Sequence, residues 1–424
     1  MQGGKFAGAA PASLAALLGL LCLAAPALAQ EGAQAQEDEP LIDWSKLDFS
    51  GYVAGETRIF PEAPQYDEQK NTRISPSLAV QPELRYRWNR RDDRVSFVPF
   101  LRLDADDENR THADIRELSW YHAGDDWDTV LGISKVFWGV AESRHLIDIV
   151  NQTDLVESPD QEDKLGQPMA NLNLLRDWGT LSFFVLPGFR ERSFPDDDAR
   201  LRGALPIASG DATYDSSAEQ WHVDFALRYS HSFDNWDLGV AHFHGTSREP
   251  TLLPATSDNG RPVLRPHYDL IDQTSLDVQY TTGPWLLKFE GLTRSGQDDR
   301  FFAAVGGFEY TFFGVAESDA DLGLLAEYLH DGRGDKTPQT PFEDDLFLGT
   351  RLTLNDIEDT ELLAGVILDL DQEERVFSVE FERRLNDNLN LEIEGQVYDN
   401  IDENDLLNGF ARDSFIEVRL SWFF

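Results

Sequence analysis

Apolar and polar side chains alternate along most of this chain once it passes Leu47. The last stretch shows the pattern most plainly. Ile416, Val418, Leu420, Trp422 and Phe424 fall on one face of an extended strand, and Phe415, Glu417, Arg419, Ser421 and Phe423 fall on the other. The same two-residue period recurs at Leu78–Trp88, Trp221–Tyr229, Trp285–Glu290 and Leu389–Val397. It predicts eighteen strands: 47–60, 75–89, 94–106, 112–123, 127–139, 168–176, 179–188, 219–232, 235–246, 268–281, 284–296, 301–314, 320–331, 344–355, 358–371, 374–385, 388–399 and 411–424. Merging within 168–188 and 301–331 would leave sixteen as the alternative. These strands are long for a water-soluble sheet and suit a tilted crossing of a bilayer.

Connection lengths sort by parity. Turns after even-numbered strands are short, for example 124–126, 177–178 and 282–283. The long connections, 61–74, 140–167, 189–218, 247–267, 332–343 and 400–410, all follow odd-numbered strands. That is the pattern of a transmembrane barrel with short turns on one side and long loops on the other. If odd strands run outward, most tryptophans gather at the inner rim, with Trp138 and Trp221 at the outer one. An indole, apolar in body with one polar N–H, favours such an interface. The fold class expected is all-β: a transmembrane antiparallel β-barrel over 47–424.

The first 29 residues hold one charge, Lys5, then an apolar run and Ala27-Leu28-Ala29. This is the layout of a cleaved signal peptide. Residues 30–46 read as a polar lead-in. Cys22, the single cysteine, falls in the leader behind Leu21, where lipid attachment would require a small residue, so disulfide and thiolate chemistry are not expected. Beyond the leader no apolar run is long enough for a membrane helix, so a membrane-spanning chain must close into a barrel. The net charge of −41 argues against nucleic acid as a partner, because phosphates demand cations.

The aromatic S-W-F-F ending, the leader and the alternating strands resemble those of Gram-negative outer-membrane porins and porin-like substrate channels. The resemblance implies residence in the outer membrane among lipids and lipopolysaccharide. It also implies recognition of Phe424 by the barrel-assembly machinery, and passage of small hydrophilic solutes or ions. Substrate-specific uptake or export of anionic solutes or polysaccharide is the alternative, with a barrel enzyme behind it. No subfamily motif decides among them.

Strand parity assigns Glu83, Arg85, Arg87, Asp224, Arg228, Lys288, Glu290, Glu392, Glu394, Glu417 and Arg419 to the lumen. The 140–167 loop carries Glu142, Asp148, Asp154 and Glu157, yet also Leu146, Ile147, Ile149 and Val150, which water alone would not favour. It is a candidate constriction loop folded into the lumen, with packing over the mouth as the alternative. The 189–218 loop holds Arg190, Arg192, Arg200 and Arg202, a basic patch suited to pairing with acids, lipopolysaccharide phosphates or an anionic solute. His242 and His244 share a strand face but read as interfacial side chains. No catalytic signature, cofactor motif or metal-ligand set stands out, and an enzyme is not expected.

Overall fold

The computed structural model describes residues 43–333 and 338–424. The leader and residues 30–42 lie outside the described residues. Twenty-one strands follow in chain order: β1 (Leu47–Ile59), β2 (Ile74–Trp88), β3 (Asp93–Asp104), β4 (His112–Ala123), β5 (Trp127–Ser134), β6 (Gln167–Arg176), β7 (Gly179–Pro187), β8 (Thr213–Tyr214), β9 (Val223–Phe233), β10 (Trp236–Thr246), β11 (Thr251–Thr256), β12 (Pro262–Tyr268), β13 (Leu270–Thr282), β14 (Trp285–Gly296), β15 (Asp298–Phe312), β16 (Asp321–Asp331), β17 (Asp344–Thr353), β18 (Glu361–Asp369), β19 (Arg375–Asn386), β20 (Leu389–Asp399) and β21 (Phe415–Phe423).

Eighteen of them form one sheet, each antiparallel to the next; β8, β11 and β12 stand apart as a small sheet of their own. The large sheet closes on itself. β1 pairs with β21, Tyr52 opposite Phe423 and Ile59 opposite Ile416. Eighteen strands are therefore present rather than sixteen, and closure leaves no edge unpaired in lipid.

Alternation explains the wall. On β9, Phe225 is 51% exposed while the adjacent Asp224 is fully buried. On β21, Ile416, Leu420 and Trp422 are exposed, whereas Glu417 and Ser421 are buried. The exposed belt is apolar and fits lipid; the inner face is polar. A β-bulge opposite Val98 and Pro99 makes Arg116 the extra residue of β4. Its guanidinium thereby reaches inward to Asp154.

The core sits inside the barrel. Trp138, Ile147, Val150, Phe184, Leu186 and Phe243 form one buried cluster, and Ala141, Val305, Leu325 and Phe347 belong to another. Leu146 packs against both, as well as against Leu292 and Ala303. The chain between β5 and β6 thus enters the lumen and supplies its apolar filling.

Two expectations change. β5 ends at Ser134, not 139, and Trp138 is not at the outer rim: it is 4% exposed, edge-on to Phe184 at 5.6 Å. Asn151 accounts for this. It accepts the Val136 N–H at 2.8 Å and donates to the carbonyls of Ser134 and Leu165, so it satisfies the strand end and turns the chain inward. The second change lies in the outer loops after β7 and β10, which contain β8, β11 and β12. β12 pairs antiparallel with β11 and parallel with β8.

Candidate functional site

The segment from Lys135 to Gly166 spans the lumen, held differently on its two sides. On one side wall carboxylates grip its backbone N–H groups. Glu290 of β14 accepts from Val140 at 2.6 Å, Ala141 at 2.9 Å and Ile147 at 3.3 Å. Glu327 of β16 accepts from the N–H groups of Glu142 and Ser143 and from the Ser143 hydroxyl at 2.6 Å. Lys288 and Arg351 pair with Glu142 at 3.2 and 2.7 Å.

On the other side arginines grip carbonyls and acids. Arg58 of β1 donates to the Glu157 carbonyl at 2.5 Å, and Arg110 donates to the Val156 carbonyl at 2.9 Å. Arg102 of β3 pairs with the Glu157 carboxylate at 2.7 Å, and Arg116 with Asp154 at 2.6 Å. Arg248 holds the Val150 carbonyl at 3.0 Å and Asp224 at 2.7 Å. These groups are buried, and a buried charge is tolerable only when it is paired and hydrogen-bonded.

The remaining lumen-face residues separate into two groups. Asp224, Glu290 and Glu417 point inward but are sealed from solvent. They anchor neighbouring chain rather than line open water; Glu417, for example, accepts from Arg58 at 2.6 Å. Arg228 likewise pairs with Asp277 at 2.8 Å beneath the Trp138 ring. Glu83 pairs with Arg85 at 2.7 Å and Arg87 with Asp48, near the turn end of β1 and β2. Asp148 lies near Lys164 at 3.4 Å.

The basic patch is spent within the molecule. Arg190 pairs with Asp114 at 2.8 Å, and Arg192 donates to the Arg248 carbonyl at 2.9 Å. Arg200 is buried, pairs with Asp413 at 2.7 Å and lies over the Phe60 ring at 4.3 Å. Arg202 lies over Tyr66 at 5.5 Å and donates to the Gly203 carbonyl. These arginines staple the outer loops together. Glu249, in the loop after β10, is a further staple that the sequence did not reveal. It pairs with Arg294 at 2.9 Å and Arg333 at 3.0 Å. Burial raises its carboxyl, but those guanidiniums, with Arg144 and Arg192 nearby, hold it well below the usual carboxylate range.

One part of the wall is different. Glu380 of β19 lies directly opposite Glu394 of β20, which lies opposite Glu417 of β21. In the next inward-facing row, Glu382 lies between Glu361 and Glu392. Like charges set opposite one another across strands oppose sheet formation, by roughly the 0.2–1 kcal/mol that a favourable pair would contribute. Glu380 and Glu382 are exposed, as are Asp160, Glu162 and Asp163 of the inserted segment. Glu380 lies within electrostatic range of Glu162, Asp160 and Glu142. Carboxylates thus face each other from wall and segment across accessible space. Glu361, Glu380 and Glu382 were not singled out from sequence, though the i, i+2 spacing of Glu380 and Glu382 on β19 was visible.

A closed antiparallel meander, an apolar outer belt and a charged lumen define a β-barrel of the transmembrane, porin-like kind. No protein-family profile matches the chain, and no curated protein matches its sequence significantly. Among solved structures it is similar to Wzi of Escherichia coli, a carbohydrate-binding barrel involved in group 1 capsule assembly. The TM-score is 0.51 at 10% identity, covering 89% of this chain and 84% of that one. A variant of the Rh. blastica porin aligns with a TM-score of 0.43 at 10% identity, over 89% of this chain and all of that one. At these identities the likeness is one of fold.

Proposed function

We propose that this barrel is an outer-membrane channel for small hydrophilic solutes and ions, narrowed by residues 135–166 and favouring cations. The paired glutamate rows carry this reading. Four of their six members (Glu361, Glu380, Glu382 and Glu394) have no arginine directly opposite, and of these four only Glu361 pairs with an arginine among the described residues, Arg351 at 2.5 Å; Glu392 faces Arg419 and Glu417 faces Arg58. Mobile cations would offset their mutual repulsion, and a confined, partly desolvated passage strengthens such a field. A recess of about 390 Å³ lined by Thr180, Arg228, Ser230, Asp237 and Asp277 suits a vestibule on the turn side.

The test is conductance of the purified protein in a planar bilayer under a salt gradient. Cation-directed reversal potentials are expected, and Glu380→Gln with Glu394→Gln should shrink them. Anion preference in the unmodified protein would reject the reading. The stapled outer loops favour a second one: a barrel that binds a saccharide, as Wzi binds carbohydrate, without conducting. Absence of conductance with retained saccharide binding would favour that.

A further inference from the structure

Asp215, His267 and Asp269 come together in the outer loops, far along the chain from one another yet adjacent in space. β8 and β12 run parallel, Thr213 opposite His267, which brings Asp215 beside the histidine. Asp269 follows two residues after His267, between β12 and β13. We propose that these three side chains bind a zinc-class divalent cation that ties the two outer loops together.

The donor atoms are already arranged for it. His267 Nδ1 lies 2.9 Å from the Thr213 hydroxyl oxygen. With Nδ1–H donating there, Nε2 presents its lone pair. That nitrogen sits 3.3 Å from Asp215 Oδ1 and 3.3 Å from Asp269 Oδ1. A charge-assisted N–H···O bond would be about 2.7–2.9 Å. Two ligands bound tetrahedrally at about 2.0–2.1 Å stand about 3.3 Å apart. Both nitrogen–oxygen spacings fit edges of a metal tetrahedron, and the three donor atoms lie within 4.8 Å of one another.

The outer oxygens of both carboxylates are held. Asp269 Oδ2 accepts from Thr251 at 2.8 Å and Gln297 at 3.2 Å, and Asp215 Oδ2 accepts from the Leu270 N–H at 3.2 Å. Each acid thus turns its other oxygen to a shared point, the ordering that metal ligands receive from their neighbours. Among the described residues no arginine or lysine pairs with either acid. A second cluster, His112, Asp154 and Glu157, lacks this feature: Arg102 and Arg116 already neutralise its carboxylates. One imidazole and two carboxylates suit zinc, with a solvent ligand on the side of the half-exposed Asp215. Calcium would demand more oxygens and no imidazole.

The experiment uses barrel purified from membranes, stripped with a chelator and dialysed. Zinc titration by calorimetry and metal content should give one ion per chain, and cobalt should give the intense visible bands of tetrahedral coordination. His267→Gln and Asp269→Asn should abolish both signals. Thr213→Val, which leaves all three ligands in place, should weaken binding about tenfold or more. Heat-modified gel migration verifies that each variant is folded. An octahedral cobalt spectrum, no zinc uptake by the unmodified protein at micromolar concentration, or undiminished binding by folded His267→Gln would overturn the proposal. Should the ligand variants fail to fold, the unmodified protein and Thr213→Val still decide it.

Discussion

Glu290 accepts three backbone N–H groups of the inserted segment, and among the described residues no arginine or lysine pairs with it. Its role is that of an acceptor. Glu290→Ala should leave three buried donors without a partner, each costing about 1–3 kcal/mol. Glu290→Gln keeps the oxygen that could serve Val140 and Ala141 and should cost less. Urea unfolding of the two variants checks the order; equal loss would mean that charge, not hydrogen bonding, is what the site requires. Ile393 tests the other face of the wall. It lies between Glu392 and Glu394 on β20 and points to lipid. Ile393→Arg should cost about 2–4 kcal/mol, whereas Gln396→Arg on the lumen side should chiefly alter conductance. Equal destabilisation at both positions would place the strand in the wrong register.

At the scale of elements, the inserted segment is the decisive piece. Replacing residues 144–163 with a short glycine–serine link should raise single-channel conductance. It should also leave Arg58, Arg102, Arg110 and Arg116 facing the lumen without Glu157 and Asp154, so reversal potentials should move toward anions. Unchanged values would mean that the segment does not border the passage. The strands were legible from sequence because a one-layer wall between lipid and a polar lumen imposes the two-residue period on every strand. The apolar half of the segment was legible too: Leu146, Ile147, Ile149 and Val150 had no reason to meet water. The exit of the chain at Ser134 was not, because Val136 and Trp138 satisfy strand alternation and lumen packing equally well. β8, β11 and β12 were hidden for another reason. β8 and β12 join loops some fifty residues apart, Thr213 with His267, and no local period marks that, while β11 and β12 form a short hairpin inside the 247–267 connection. The glutamate rows needed cross-strand register, which one sequence does not contain.

For the whole molecule, the long connections share one side and the short turns the other. A cysteine at Asn259, exposed in the β11–β12 turn, should be labelled from outside intact cells, and one at Asp387 should not. Arg200, although in an outer loop, is buried, so a cysteine there should resist labelling in the folded protein. Labelling at 387 but not 259 would invert the topology. The bridge from Arg58, Arg102 and Arg116 to Glu290 and Glu327 has a mechanical side as well. A hoop of eighteen strands has nothing inside its wall to resist flattening into an ellipse. Here β1, β3 and β4 are tied through the segment to β14 and β16 on the far part of the circumference. The segment works as a cross-brace: lateral pressure from the bilayer that would shorten one diameter must first break buried ionic contacts. The space left beside the segment is then limited by the length of that tether.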